Sequence, residues 1–189
     1  MGLDMYLTRK KYIGGNYEHR EVKGEINITI KGIKVPIELN KVSEIYEEVG
    51  YWRKANQIHK WFCDNGECIK EDIEYEVTVE QLKELLELCK KVKEKAILVD
   101  GKINIGSKYD KETKKWISIY EDGKIIQNSD EIEGMLPTQD GFFFGSTSYD
   151  EWYLEDIKDT IKILEEILEE EEELNKLGVY SDFKYRASW

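Results

Sequence analysis

The sequence predicts an α+β fold in which an antiparallel sheet carries about three helices, and three observations favour it. Several short segments alternate apolar and polar residues, as strands with one buried face do. Longer segments repeat apolar residues at spacings of three and four, which is typical of amphipathic helices. Hydrophobic residues make up 40% of the 189 residues, which is enough to bury a core. We therefore expect one domain that covers residues 1–189.

Strands are predicted at both ends of the chain and at two places between them. Residues 3–10 and 183–189 alternate apolar and polar side chains, so we expect strand-like termini that lie in the same sheet. β-Branched residues at 25–30 and 33–38 predict a hairpin, and residues 73–77 predict a further short strand.

Three segments are predicted to form helices. The first covers residues 51–62. Thr78 and Gln81 have the spacing of a capping box and precede an apolar stripe. Ser148 and Glu151 repeat that spacing before the longest helix, whose acidic final turns are expected to lie in solvent.

Residues 97–132 form a candidate β-rich insertion within the domain. Alternating apolar residues predict added strands there, and Asp122 with Gly123 is predicted to form the turn of a hairpin. The three phenylalanines at 142–144 predict a short strand.

The negative charge of the chain is concentrated in one helix. The net charge is −12, and residues 151–173 contain 11 acidic and 2 basic side chains. Broad binding to nucleic acid is therefore not expected, because phosphate contacts need clustered lysines and arginines. The helix is instead predicted to contact a basic surface of a partner protein or nucleoprotein complex. The predicted partner-binding residues are Glu155, Asp159, Glu165, Glu166 and Glu169.

Cysteine spacing and hydropathy indicate the compartment. The three cysteines form no Cys-x-x-Cys pair, which fits a reducing cytoplasm. No apolar run approaches the roughly 18 residues of a membrane-spanning helix, so no membrane association is expected. His59, Cys63 and Cys68 have workable spacing for a metal but lack a fourth ligand. No metal and no cofactor are therefore predicted.

The predicted helix at 51–62 contains the first candidate ligand site. On a helical wheel Trp52, Asn56 and His59 lie side by side at the flank of the core face, next to Arg53. Such a ridge could stack a planar ring, hydrogen-bond it and hold a phosphate. A second interpretation stays open, in which Trp52 packs in the core and the other two bond to backbone. If the protein is an enzyme, His59 is the candidate acid–base residue.

The loop at 137–149 contains the second candidate ligand site. Gln139, Asp140 and Tyr149 are its candidate ligand-binding residues, although a Pro-Thr-Gln-Asp-Gly string can also be only a turn. Residues 145–148 precede a predicted helix and could bind an anion through backbone N–H groups. Ordinary capping by Ser148 explains the same residues.

Several strings in the chain resemble a family of uncharacterised bacteriophage and prophage proteins. These strings are MGLDMYL at 1–7, YWRKANQIHKWF at 51–62, LPTQDGFFFGS at 136–146, YDEWY at 149–153 and the aromatic end at 182–189. The resemblance implies that the protein acts in the cytoplasm of a bacterial host cell. Small acidic proteins there inhibit or modulate host machinery, as anti-CRISPR and other counter-defence proteins do. It implies no particular catalytic or binding residue.

Three functions are thus predicted. The first is an acidic binding protein that inhibits or modulates a host defence or nucleic-acid enzyme. The second is binding, sequestration or hydrolysis of a nucleotide-like small molecule around His59. The third is a structural or assembly protein, which a fully packed ridge at 52–59 would favour.

Overall fold

The computed structural model of the protein describes residues 2–14, 26–70 and 74–189. Its centre is a five-stranded antiparallel sheet with the strand order β4-β1-β9-β6-β5. These strands are β1 (Asp4–Tyr12), β4 (Glu44–Arg53), β5 (Glu67–Lys70), β6 (Glu74–Val77) and β9 (Tyr180–Ser188).

The two chain ends form neighbouring strands at the centre of this sheet. Leu3, Met5 and Leu7 are fully buried, and they alternate with half-buried residues as the sequence predicts. Met5 lies opposite Ala187 and Leu7 opposite Tyr185 in the antiparallel ladder between β1 and β9. The prediction that the strand-like termini share a sheet is therefore confirmed.

Four helices occur within the described residues, which confirms the predicted α+β class with one helix more than expected. They are α1 (Asn56–Asn65), α2 (Val79–Lys95), α3 (Ser129–Met135) and α4 (Glu151–Lys176). The buried faces of α1, α2 and α4 join the inward side chains of the sheet in a single hydrophobic core. The opposite face of the sheet carries polar and aromatic residues such as Tyr6, over whose ring the Arg186 guanidinium lies at 5.0 Å.

The predicted features of α2 and α4 are largely confirmed. Thr78 and Gln81 form the predicted capping box at the start of α2. The predicted apolar stripe of α4 is buried, and it consists of Leu154, Ile157, Ile161, Leu164 and Leu168. The acidic end of α4 differs from expectation, because Glu171 is buried and both its carboxylate oxygens accept from the Ser181 hydroxyl at 2.6 Å.

The predicted helix at 51–62 is wrong for residues 51–55. Residues up to Arg53 belong to β4, where Trp52 lies opposite Met5 of β1. Pairing with β1 satisfies the backbone there, so the local helical pattern does not decide the structure. Lys54 then adopts a left-handed backbone with φ of 62°, which separates the strand from the helix that begins at Asn56.

Both predicted hairpins occur, but the first is shorter than predicted and the second has its turn at a different place. β2 (Ile28–Ile30) and β3 (Ile33–Val35) pair as expected but are shorter, and β3 ends before Pro36, which lacks a ladder donor. The predicted residue 25 of this hairpin, like Ile73 of the predicted short strand, lies outside the described residues.

The block at 97–132 contains a long two-stranded ribbon formed by β7 (Leu98–Asp110) and β8 (Lys115–Ile126). Its turn lies at 111–114, so the prediction of a turn at Asp122 and Gly123 is wrong. Gly123 instead lies within β8 opposite Gly101, where an added Cβ would come within 2.7 Å of Ile103. Glycine is needed there for close packing rather than for a turn.

Two further local predictions are wrong. Residues 142–144 do not form a strand, since Phe143 has a left-handed backbone with φ of 69°. The helix α4 is capped by Asp150, whose Oδ1 accepts from the N–H groups of Trp152 and Tyr153, and not by Ser148. Aspartate and serine are equally good N-cap residues, so spacing alone could not separate them.

None of the helices in the described part of the chain is both long enough and apolar enough to cross a membrane.

Substitution of the buried Leu164 tests how much the packing of α4 contributes to the stability of the fold. The Leu164→Ala substitution leaves a cavity between α4 and the rest of the core, and we expect it to lower the free energy of unfolding by about 2–5 kcal/mol. Urea denaturation followed by circular dichroism measures this change. The control Lys162→Ala removes an exposed side chain of the same helix and should change it by less than about 0.5 kcal/mol. Equal losses of stability in the two variants would contradict the conclusion that Leu164 belongs to the core.

Candidate functional site

Asn56, the first residue of α1, joins the two segments that the sequence singles out. Its Nδ2 donates to the carbonyl oxygens of Ser146 at 2.7 Å and Phe144 at 3.3 Å. Its Oδ1 accepts from the backbone N–H of Gln139 at 3.0 Å. Asn56 is 1% exposed, so these bonds lie within the protein. The 137–149 loop is thereby attached to the start of α1, and the two predicted segments meet.

Trp52 and His59 are also buried, at 4% and 2% exposure. The Trp52 indole N–H donates to the Thr160 hydroxyl of α4 at 3.0 Å. His59 Nδ1 shares a hydrogen bond of 2.7 Å with the Tyr185 hydroxyl. The predicted ridge is therefore part of the core, as the second interpretation of these residues expected. Ligand contact by Trp52, Asn56 and His59 stays a prediction. The burial of all three side chains argues against it.

The surroundings of His59 are aromatic. The Phe144 ring lies 5.2 Å from the imidazole and the Trp189 ring 5.7 Å from it, both edge to face. Burial raises the pKa of the Tyr185 hydroxyl well above its usual value, so that hydroxyl stays protonated. The pair of His59 and Tyr185 thus fastens α1 to β9 rather than presenting an acid–base group to solvent.

Loop residues of the second predicted site have mixed positions. The Tyr149 hydroxyl accepts from the Thr138 N–H at 3.1 Å, and its ring packs 5.0 Å from Tyr153. Asp140 is exposed. Gln139 is half-buried, and its Oε1 is buried without a hydrogen-bond partner among the described residues. Tyr149 therefore fixes the loop. Within the described residues, the side chains of Gln139 and Asp140 make no hydrogen bond that would give them a structural role.

A cleft of about 610 Å³ lies beside this loop, and we refer to it as the ribbon cleft. Four parts of the chain form it: the junction of β4 and α1, the ribbon of β7 and β8, the loop before α4, and the first turns of α4. The residues that line it include Arg53, Lys54, Gln57, Ser107, Ser118, Asp150, Trp152 and Asp156. Of the ligand-binding residues predicted from sequence, only Arg53 lines it.

Two carboxyl groups stand in the ribbon cleft in unusual environments. Burial raises the pKa of Asp156 to about 6, against the opposing effect of a 3.1 Å hydrogen bond from Gln57 Nε2. Burial also raises the pKa of Asp150, which is 2% exposed. Asp150 Oδ1 caps α4, but Asp150 Oδ2 is buried without a hydrogen-bond partner in the described part of the protein. Perturbed carboxyls in a cleft are candidates for ligand contact.

The mouth of the cleft is basic and aromatic. Arg53 and Lys54 line it, and the Trp152 side chain is 61% exposed there. Gly145 packs against Lys54 with φ of +100°, and an added Cβ would lie 3.0 Å from Lys54 Cβ. A side chain at this position would strain the loop and press on Lys54. The cleft therefore combines acceptors inside with cations and a ring at its edge.

Asp150, Asp156 and Gln57 are site residues that the sequence analysis does not identify. The two aspartates look like ordinary acidic residues of a helix N-terminus, which favours them electrostatically. Only their burial in the folded chain distinguishes them from the exposed carboxylates further along α4. No local sequence signal reveals this burial, because the cleft is formed by segments that are distant in the chain.

The carboxylates predicted to bind a partner protein all lie on the exposed surface of α4. They are Glu155, Asp159, Glu165, Glu166 and Glu169. Two of them are paired, Glu155 with Lys158 at 3.2 Å and Glu165 with Lys90 at 3.0 Å. Glu166 and Glu169 line a second groove between α4 and the edge strand β4.

The described residues contain no group of three or more His, Cys, Asp or Glu side chains that could hold a metal ion. Cys63 Sγ lies 3.6 Å from His59 Nε2, but Cys68 stands on β5 with its side chain exposed.

Asn56 can be tested by an isosteric change. Asn56→Asp keeps the acceptor for Gln139 but places a carboxylate oxygen against the carbonyls of Phe144 and Ser146. We expect it to lower the free energy of unfolding by about 2–4 kcal/mol, because buried groups lose their partners and a charge is desolvated. The control Asn175→Asp changes an exposed amide on α4 and should change it by under about 1 kcal/mol. Denaturant titration measures the free energy of unfolding of both variants, and equal losses would contradict the role given to Asn56.

Asp156 predicts a pH dependence of stability. Its pKa in the folded protein lies above the unfolded value of 3.8, so the fold prefers the protonated acid and its stability falls as pH rises from about 4 through 6. Asp156→Asn should therefore raise the free energy of unfolding at pH 7.5 by about 1–3 kcal/mol, with no gain at pH 4. Denaturation at both pH values measures this. Asp159→Asn on the same helix is the exposed control, and an equal gain there would contradict the explanation.

Comparison of the chain with protein-family models, with curated proteins and with solved structures gave no significant match.

Proposed function

We propose that this protein binds a small nucleotide-like molecule in the ribbon cleft. The observation that carries the proposal is the buried Asp150 Oδ2, which lines the cleft without a partner among the described residues. A buried acceptor without a partner has a free-energy cost of about 1–3 kcal/mol, which a ligand donor would remove. A ligand with N–H or O–H donors at its inner end supplies that donor.

The inner wall of the cleft suits the edge of a nucleobase. Asp150 and Asp156 present carboxyl oxygens, and Gln57 places an amide beside them. Carboxylates accept from amino groups of bases, and protonated Asp156 could also donate. The exposed Trp152 ring at the mouth offers a surface on which a planar ring can stack.

The outer end of the cleft suits an anion. Arg53 and Lys54 are adjacent in sequence and both line the cleft. The Arg53 guanidinium is 60% exposed, and Asp4 approaches it at 3.9 Å, so most of its donors remain available to a phosphate. A ligand with a donor-bearing ring at one end and a phosphate at the other matches both walls.

Nucleoside 5′-monophosphates test this function. A ligand at 100 times its Kd should stabilise the protein by about 2.7 kcal/mol, which appears as a rise in Tm. Asp150→Asn retains the cap of α4 but turns the free acceptor into a donor, and Arg53→Gln removes the cation. Each should weaken binding about tenfold or more, measured by calorimetry. Arg186→Gln, an exposed arginine on the far face of the sheet, is the control. No stabilisation by any nucleotide would reject the proposal.

A second function is favoured by the exposed acidic surface of α4. Its carboxylates concentrate negative charge on one helix, and the groove that Glu166 and Glu169 line continues that surface to β4. Such a surface complements a basic partner protein. The resemblance to phage proteins makes a host defence or nucleic-acid enzyme the proposed partner.

Charge reversal tests the second function. We expect pull-down from a bacterial host to recover a basic protein with the wild type, with recovery falling at higher salt. Glu166→Lys combined with Glu169→Lys should abolish recovery. The matched pair Glu84→Lys and Glu87→Lys reverses two exposed charges on α2 and should retain it. Undiminished recovery by the α4 variant would reject this function.

A further inference from the structure

The ribbon of β7 and β8 has an outer half that the described protein does not cover. Its base is fastened to the domain, because Ile103 is buried and the Ile126 N–H donates to the Tyr149 carbonyl at 2.9 Å. From residue 105 to residue 118 nearly every side chain is exposed. Two-stranded ribbons are marginally stable in water on their own. The outer half is therefore expected to gain from a bound molecule.

The register of the ribbon shows which side chains face the ribbon cleft. Ser107 lies opposite Ser118, and both line the cleft. Tyr109 lies opposite Trp116, two residues further along each strand. Cross-strand partners and residues two apart project from the same face of a ribbon. The pair of Tyr109 and Trp116 therefore projects on the side of the ribbon that lines the cleft.

This face of the ribbon is aromatic and hydroxylic rather than aliphatic. The rings of Tyr109 and Trp116 lie 5.7 Å apart edge to face, yet they are 50% and 70% exposed. The serine pair separates them from the cleft floor, and the aliphatic Ile117 projects from the other face, opposite Lys108. Exposed rings beside hydroxyl groups suit stacking of a hydrated planar ligand better than a dry protein interface.

The outer ribbon is also locally basic. Residues 107–118 contain four lysines and two acidic residues, in a chain of net charge −12. Asp110, one of those two acidic residues, is engaged within the turn, where it accepts from the Thr113 hydroxyl at 2.6 Å. Lys108 and Lys115 project from the face that carries Ile117, whereas Lys111 and Lys114 lie in the turn at the tip of the ribbon. With Arg53 and Lys54 in the cleft, positive charge therefore lies at both ends of the face that carries Tyr109 and Trp116.

We propose that the ribbon extends the site so that it holds the end of a single-stranded oligonucleotide, with the terminal nucleotide in the cleft and the next base on Tyr109 and Trp116. The aromatic pair lies two positions beyond the serine pair on each strand, which is a distance of about 6.6 Å along the ribbon. One sugar-phosphate unit can span that distance. Aromatic side chains and a basic path are the two features by which proteins bind single strands without reading sequence. The inference rests on the proposed nucleotide site, and it adds the polymer as the ligand.

The test compares short and long probes. The four deoxynucleoside 5′-monophosphates and the corresponding tetranucleotides are titrated into the full chain by calorimetry. The wild type is expected to bind a tetranucleotide about tenfold more tightly than its mononucleotide, as one stacked base contributes. Trp116→Ala should remove that difference and leave the mononucleotide affinity unchanged. Ile117→Ala, on the opposite face of the same ribbon, should preserve it.

The outcomes separate this inference from the proposed function. Mononucleotide binding with a tetranucleotide affinity that Trp116→Ala does not change would overturn the ribbon extension and leave the cleft intact. Binding of neither probe would overturn both. A protein partner whose capture depends on Trp116, without any nucleotide binding, would show that the ribbon is a protein-docking arm and would likewise overturn both.

Discussion

The side-chain amide of Asn56 is the interaction on which the functional half of the molecule depends. The amide makes three hydrogen bonds to a loop more than 80 residues away, two as donor and one as acceptor. Because Asn56 is buried, a movement of the loop would leave its amide without partners. The loop in turn leads into α4 and forms one wall of the ribbon cleft. The position of Asp150, and hence the shape of the cleft, follows from this attachment.

Buried polar groups in this protein fall into two kinds. Trp52 and His59 each have a partner across elements, Thr160 and Tyr185, so they fix the packing of α1 and β4. Asp150 retains an oxygen with no partner in the described protein, and it lies where a cleft opens. Arg9 also leaves one nitrogen without a partner there, but its other nitrogens donate to Glu47 and Glu170 and join β1 to its neighbours. Unsatisfied groups thus indicate function most strongly where they adjoin open space.

The distribution of charge also separates two surfaces. The exposed side of α4 is acidic, whereas the cleft mouth and the outer ribbon carry arginine and lysine. Salt screens exposed charges over about 10 Å, so the two surfaces act largely independently at physiological ionic strength. A small anionic ligand and a basic protein partner are therefore compatible with the same molecule.

Local periodicity in the sequence is enough to predict several elements of the fold. The alternation of Leu3, Met5 and Leu7 and the stripe of α4 follow from which side chains must avoid water, and the structure confirms both. The capping box of Thr78 and Gln81 was likewise local. The sequence also identified Asn56 and the 137–149 loop as candidates, although it left open whether Asn56 contacts a ligand or bonds to backbone.

Contacts between distant segments set where β4 ends, which residue caps α4, and which carboxylates are buried. Trp52 belongs to a strand because β1 pairs with it, and pairing between distant segments overrides local helical periodicity. The carboxyl groups of Asp150 and Asp156 differ from the exposed acids of α4 because the assembled fold removes them from water. Desolvation is a property of the assembled fold, so the candidate site became visible only there.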